Sequence, residues 1–203
     1  MKSFDNFLTE KHQSILYRYT GIRSGSSALH SLKMQTVDRK QVKNDTDANH
    51  GPEGYGYFIS TSRSAQSSYY TEEVVPSFVY PILFELDGRV LSRKYKIQPF
   101  NFSYLAHGEF GASRTGWQHD RSTDEEEDRV YSKTPRIDLT GAIRACYLHS
   151  DEGAGLSEWE DDDTISAWES VINTCKEKKI PLWHVPTIPT PLRDRIKKGE
   201  RLV

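Results

Sequence analysis

Cysteine is nearly missing from this chain: Cys146 and Cys175 are the two among 203 residues. A disulfide framework is therefore not what organises the fold. Neither cysteine has a Cys or His at metal-site spacing, and the seven histidines are scattered, which argues against a structural zinc site. No apolar run approaches membrane-spanning length, and the N-terminal "MKSFDNFLTEKHQS" lacks the apolar stretch of a secretory signal. Neither sign of charge dominates. With 27 basic against 29 acidic residues and a formal net charge of -2, the balance recommends neither nucleic acid nor an anionic membrane as a partner. Neither GxGxxG nor GxxxxGK[ST] occurs, so the usual phosphate loops are missing too. Hydrophobic residues make up only 35% and mean hydropathy is -0.71. The expectation is a soluble, intracellular, cytoplasmic protein whose core leans on its aromatic residues, which stand at 11%.

What is present reads as one domain, with a polar segment 1–14 and a Pro-rich basic tail 186–203. "ILYRYTG" (15–21) is a short β run closed by Gly21, and "SGSSALHSLKMQ" places Ala28, Leu29 and Leu32 at helical spacing behind serines able to cap. Residues 38–54 are polar and turn-rich, a loop. A strand over 56–62 and a helix near 64–73 follow. "SFVYPILFELDG" (77–88) is the strongest strand; Asp87-Gly88 predicts a hairpin with "RVLSRKYKI" as its return, and Pro81 suggests an edge or a bulge. Residues 98–124 form a long irregular stretch. The run 124–149 reads as an acidic turn and two β segments, the second being "AIRACYL". "DTISAWESVINTCKEKK" is an amphipathic helix with Thr164 as cap, and "IPLWHV" (180–185) is a last strand. Strands outnumber helices and hairpins recur, so the expected class is α+β.

Three polar clusters interrupt otherwise apolar strands: Arg18 in "LYRYTG", Ser60-Thr61-Ser62 in "YFISTSRS", and Glu125-Glu126-Glu127 before Val130. Taken singly, each has an ordinary reading as a solvent-facing strand residue, a strand end and a solvated turn. Together and in this order they resemble the R-S-E class of ADP-ribosyltransferases. That family carries an Arg on its first core strand, an aromatic-x-Ser-Thr-Ser strand, and a Glu-x-Glu or Gln-x-Glu motif leading into a late strand. The chain offers "LYRYTG", "YFISTSRSAQSSYY" and "DEEEDRV", with "VYPILFELDG" where the family has an apolar strand between its second and third motifs. The resemblance covers roughly residues 15–148. The chain is also similar to small phage-encoded proteins of that fold, which implies the cytoplasm of an infected bacterium as its location.

The resemblance implies two packed, mostly antiparallel sheets forming an NAD cleft with flanking helices, and NAD as a substrate. It implies transfer of ADP-ribose to a macromolecular acceptor, a host protein, with nucleic acid as an alternative acceptor; no membrane partner is expected from the composition. An arginine grips a diphosphate through a planar fork of donors, which gives Arg18 its role. Ser60 corresponds to the family's first serine, with Thr61 and Ser62 beside it on the cofactor wall. A carboxylate beside the ribose opposes the oxocarbenium charge that forms as nicotinamide leaves, which makes Glu127 the catalytic candidate. Glu125, two residues earlier on the same side of an extended chain, would act on the acceptor. Arg18 and Ser60 are expected on neighbouring strands with side chains entering one cleft. One position departs from the family pattern: Arg129 stands directly before Val130, where the family has its Glu. A non-catalytic interaction protein on the same scaffold, gripping its partner through residues 98–124, is the competing expectation. Tyr17, Tyr19, Tyr57, Phe58, Tyr69 and Tyr70 read chiefly as core. His107, His119 and Trp117 lie in the irregular stretch, with acid-base chemistry or partner contact as their functional alternatives.

Overall fold

The structure is a computed structural model of the chain, and it describes residues 15–41, 51–63, 81–100, 127–150, 161–186 and 199–203. The expected helix near 64–73, the part of the irregular stretch 98–124 beyond Phe100, residues Tyr69, Tyr70, His107, Trp117, His119, Glu125 and Glu126, the segment 1–14 and most of the Pro-rich tail lie outside them, while residues 98–100 of that stretch belong to a strand.

The fold is α+β. Strand β1 (Ile15–Gly21) runs directly into helix α1 (Ile22–Ser31), then into β2 (Lys33–Gln35), β3 (Val37–Asp38) and β4 (Tyr57–Ser62). Then come β5 (Pro81–Asp87), the short helix α2 (Gly88–Ser92), β6 (Lys96–Phe100), β7 (Glu127–Ser132), β8 (Arg136–Asp138) and β9 (Ile143–Ser150). Helix α3 (Asp162–Lys178), β10 (Leu182–Pro186) and β11 (Glu200–Arg201) complete the order. Nine strands form one sheet in the order β11-β10-β9-β5-β1-β4-β7-β6, with β3 on β4, while β2 and β8 make a separate ladder. Among the described pairs β9–β10 is parallel and the rest are antiparallel.

The first strand falls on residues 15–21, as its β-branched and aromatic run predicts. Leu16 alternates with Tyr17 and Tyr19, so that Leu16 joins the main core and Tyr19 a smaller cluster on the opposite face. The main core lies between the sheet and helices α1 and α3 and holds Leu16, Leu29, Ile59, Ile82, Phe84, Val130, Trp168 and Val171. α1 meets β5 through Gly25. A methyl group built there would sit 2.1 Å from Ile82 Cγ2 and 3.3 Å from Thr20 Cγ2. Ile82 is β-branched and fully buried, so it has little room to yield. Gly25→Ala is therefore expected to destabilise by about 1–3 kcal/mol, since overpacking outweighs the roughly 1 kcal/mol that alanine gains over glycine in a helix. Urea denaturation checks it; an unchanged or raised midpoint would contradict this packing.

The structure differs from the sequence reading at several ends. Asp87-Gly88 does not turn a hairpin. Asp87 caps α2 instead, its Oδ1 accepting from Arg89 N at 2.8 Å and Val90 N at 3.3 Å, and β6 pairs with β7. Aspartate is as good an N-cap as a turn residue, and the residues after Gly88 decide between the two. β5 is a central strand between β1 and β9, and Pro81 is tolerated as its first residue. α3 is capped by Asp161, which accepts from Thr164 N at 2.7 Å, so Thr164 is a buried first-turn residue rather than the cap. α1 begins on Gly21 with no side-chain cap, so the serines within it do not start the helix.

Candidate functional site

The three motif strands are consecutive in the sheet: β1, β4, β7. Ser60, Thr61 and Ser62 stand opposite Arg129, Asp128 and Glu127, and Tyr17 stands opposite Ser62. That Tyr17–Ser62 pair is the single register pair between β1 and β4 among the described residues. Arg18 also links the two strands, its Nη1 donating to the Ser60 carbonyl at 2.9 Å.

Alternation decides which side chains share a face. Leu16 and Ile59 both point into the main core, which puts Arg18 and Thr61 on that side and Ser60 and Ser62 on the other, with Tyr17. The expectation that Arg18 and Ser60 send their side chains into one cleft is not met: the two lie on neighbouring strands with side chains on opposite faces, and Arg18 reaches the serine's main chain. On the core side, Thr61 Oγ1 donates to the Asp128 carbonyl at 2.7 Å. The Asp128 carboxylate is fully buried, and Arg63 Nε lies 3.4 Å from its Oδ1. On the other side Arg129 is buried, its guanidinium 4.3 Å from the centroid of the Phe58 ring, a cation–π contact. In the register of the ladder Glu127 stands across from Ser62.

Beneath Arg18 opens a cleft of about 410 Å³. Arg18 and Thr20 of β1, Arg23, Ser24 and Ser27 of α1, and Lys33 of β2 line it, together with Ala28, Met34 and Gln35. Three cations and three hydroxyls line it, and no carboxylate is among the described lining residues. Such a wall suits an anion with several oxygens. A group of three or more His, Cys, Asp or Glu able to hold a metal does not occur among the described residues.

On the face bearing Ser62 the row continues through Tyr17 to Glu85, its partner on β5. Tyr147 donates its hydroxyl to Glu85 Oε2 at 2.7 Å, and Arg144 Nε lies 3.6 Å from Oε1. Burial, then the hydrogen bond to Glu85, raises the Tyr147 phenol above its usual range; burial and the Glu85 charge raise Tyr17. Both groups hold their protons more tightly when folded than when unfolded. The stability they carry is full below the ordinary tyrosine pKa of 10.0 and is lost as pH rises beyond it. Chemical denaturation is expected to show stability falling above about pH 10, and less steeply in Tyr147→Phe. An identical alkaline slope in that variant would contradict the assignment.

No family model matches the chain, and neither does any curated protein or solved structure. The site therefore rests on its own geometry. The sequence reading singled out Arg18 and the Ser-Thr-Ser run. Arg23, Ser24, Ser27 and Lys33 belong to none of the three polar clusters of the sequence, and neither do Asp128 and Arg63. Ser24 and Ser27, three apart, and Arg23 and Ser27, four apart, already share a helical face in the sequence; that spacing was the available signal.

Proposed function

We propose that the chain is an NAD-dependent mono-ADP-ribosyltransferase acting on a protein acceptor. One observation carries the reading: three motifs far apart in the chain lie on three consecutive strands, with Arg18 bonded to Ser60 and Glu127 across from Ser62. Nine of the described strands join in one sheet rather than in the two packed sheets expected of that fold, while the cationic cleft beneath Arg18 suits the diphosphate of NAD. In this reading Arg18 anchors the diphosphate with Thr61 on the same face of the sheet, while Ser60 and Ser62, on the opposite face, do not share that wall. Glu127 opposes the oxocarbenium charge on the ribose as nicotinamide departs, and Glu125 serves the acceptor.

Arg18→Lys keeps the charge but loses the planar fork, and is expected to weaken NAD binding about tenfold or more by calorimetry. Equal affinity in a well-folded variant would count against the assignment. The alternative, a non-catalytic interaction protein on the same scaffold, has one observation in its favour. Arg129, which stands where the family carries its Glu, is buried against Phe58 rather than exposed for chemistry.

A further inference from the structure

Arg23 has two possible sets of partners. It lines the cleft beneath Arg18. Its guanidinium, however, is drawn outward to the start of α3, where Nη2 donates to Asp161 Oδ1 at 2.6 Å and to Thr164 Oγ1 at 3.3 Å, and Nη1 lies 4.0 Å from Asp163 Oδ2. It also lines the groove between α1 and α3, with Ser27 shared between the two spaces. The other cleft cations are held less fully. Arg18 Nε is buried and has no hydrogen-bond partner among the described residues. Lys33 has no carboxylate partner among the described residues. α1 starts on Gly21 without a side-chain cap, so its first N–H groups add positive potential in the turn that bears Arg23 and Ser24.

We infer that the cleft is a diphosphate site and that Arg23 is its exchangeable member, parked on Asp161 and Asp163 in the free protein and turned to the ligand's phosphate oxygens when the site fills. The acids of α3 are then internal competitors of the ligand. Exposed ion pairs of this kind contribute little, so the exchange is within reach of a dianionic or more highly charged ligand and outside that of a neutral one. The inference deepens the transferase reading by adding Arg23, Ser24 and Lys33 to the phosphate end of the site. It stands or falls on anion binding alone.

The test is calorimetry with inorganic pyrophosphate at low ionic strength, repeated with ADP and with NAD. Asp161→Ser keeps a capping oxygen for the Thr164 amide while removing the charge; Asp163→Asn leaves the cap untouched. Each is expected to tighten pyrophosphate binding, together by about three- to fivefold, the range of an exposed pair. Arg23→Gln is expected to weaken it, and all affinities should fall as salt rises. Melting curves confirm that α3 is retained. If pyrophosphate does not bind the wild type, or if Asp163→Asn leaves affinity unchanged or weaker, the inference is overturned. Pyrophosphate and ADP binding without NAD turnover would sustain the diphosphate site and remove the transferase reading. NAD binding that ignores all three substitutions would do the reverse.

Discussion

Glu127→Gln is expected to lower ADP-ribosyl transfer by about 10²–10³ while preserving the fold and most of the affinity for NAD. Glutamine keeps the size and hydrogen-bonding capacity of glutamate and removes only the charge. That charge matters most when the ribose carries oxocarbenium character, so the loss falls on the rate rather than on binding. Glu127 stands directly across β4–β7 from Ser62, at the end of the row that runs through Tyr17 to Glu85. In an extended segment Glu125 shares the side of Glu127 and Glu126 takes the other. Glu125→Gln is therefore expected to impair transfer to the acceptor more than hydrolysis of NAD, and Glu126→Gln to be tolerated. Rates for the three variants check this; a dead Glu126→Gln with an active Glu127→Gln would shift the assignment by one residue.

Asp128→Ala is expected to cost about 3–5 kcal/mol of stability, the usual consequence of removing one member of a buried ion pair. The carboxylate is fully buried on the core side of β7, and Arg63 Nε lies 3.4 Å from it with its side chain 14% exposed. Removing the acid leaves that guanidinium largely desolvated beside a cavity. The adjoining Thr61 bond to the Asp128 carbonyl is made by the main chain and survives the substitution. The pair holds the ends of β4 and β7 together next to Ser62 and Glu127, so the loss of stability should be accompanied by weaker register at the site. Denaturant titration measures it, and a cost below about 1 kcal/mol would mean that solvent reaches the pair.

The chain shows its strands more plainly than their partners. "ILYRYTG" marks a strand whose bounds are those observed, because β-branched and aromatic residues and a closing glycine act locally. The amphipathic pattern of α3 is equally local, and only its cap was displaced, from Thr164 to Asp161. The fate of Asp87-Gly88 was not legible, since a hairpin turn and a helix cap ask for the same residues and the choice depends on β6 finding β7. The α+β class followed from counting elements. That β1, β4 and β7 are consecutive is a long-range fact, reached from the sequence only through likeness to a family. The cationic cleft is illegible in the sequence for a further reason. Periodicity flags a helix's apolar face, and Arg23, Ser24 and Ser27 lie off that face, where polar residues are ordinarily read as solvated. The buried Asp128 was hidden within an acidic run that reads as a turn.

Incubation with NAD labelled in its adenylate part, together with a bacterial lysate, tests the central claim most directly. The account predicts label on protein that survives denaturation and resists nuclease, release of nicotinamide in step with it, and loss of both in Glu127→Gln. Label removed by nuclease would move the acceptor to nucleic acid. A folded wild-type protein that neither transfers label nor releases nicotinamide would contradict the transferase reading and leave Arg129, buried against Phe58, as the mark of a binding protein.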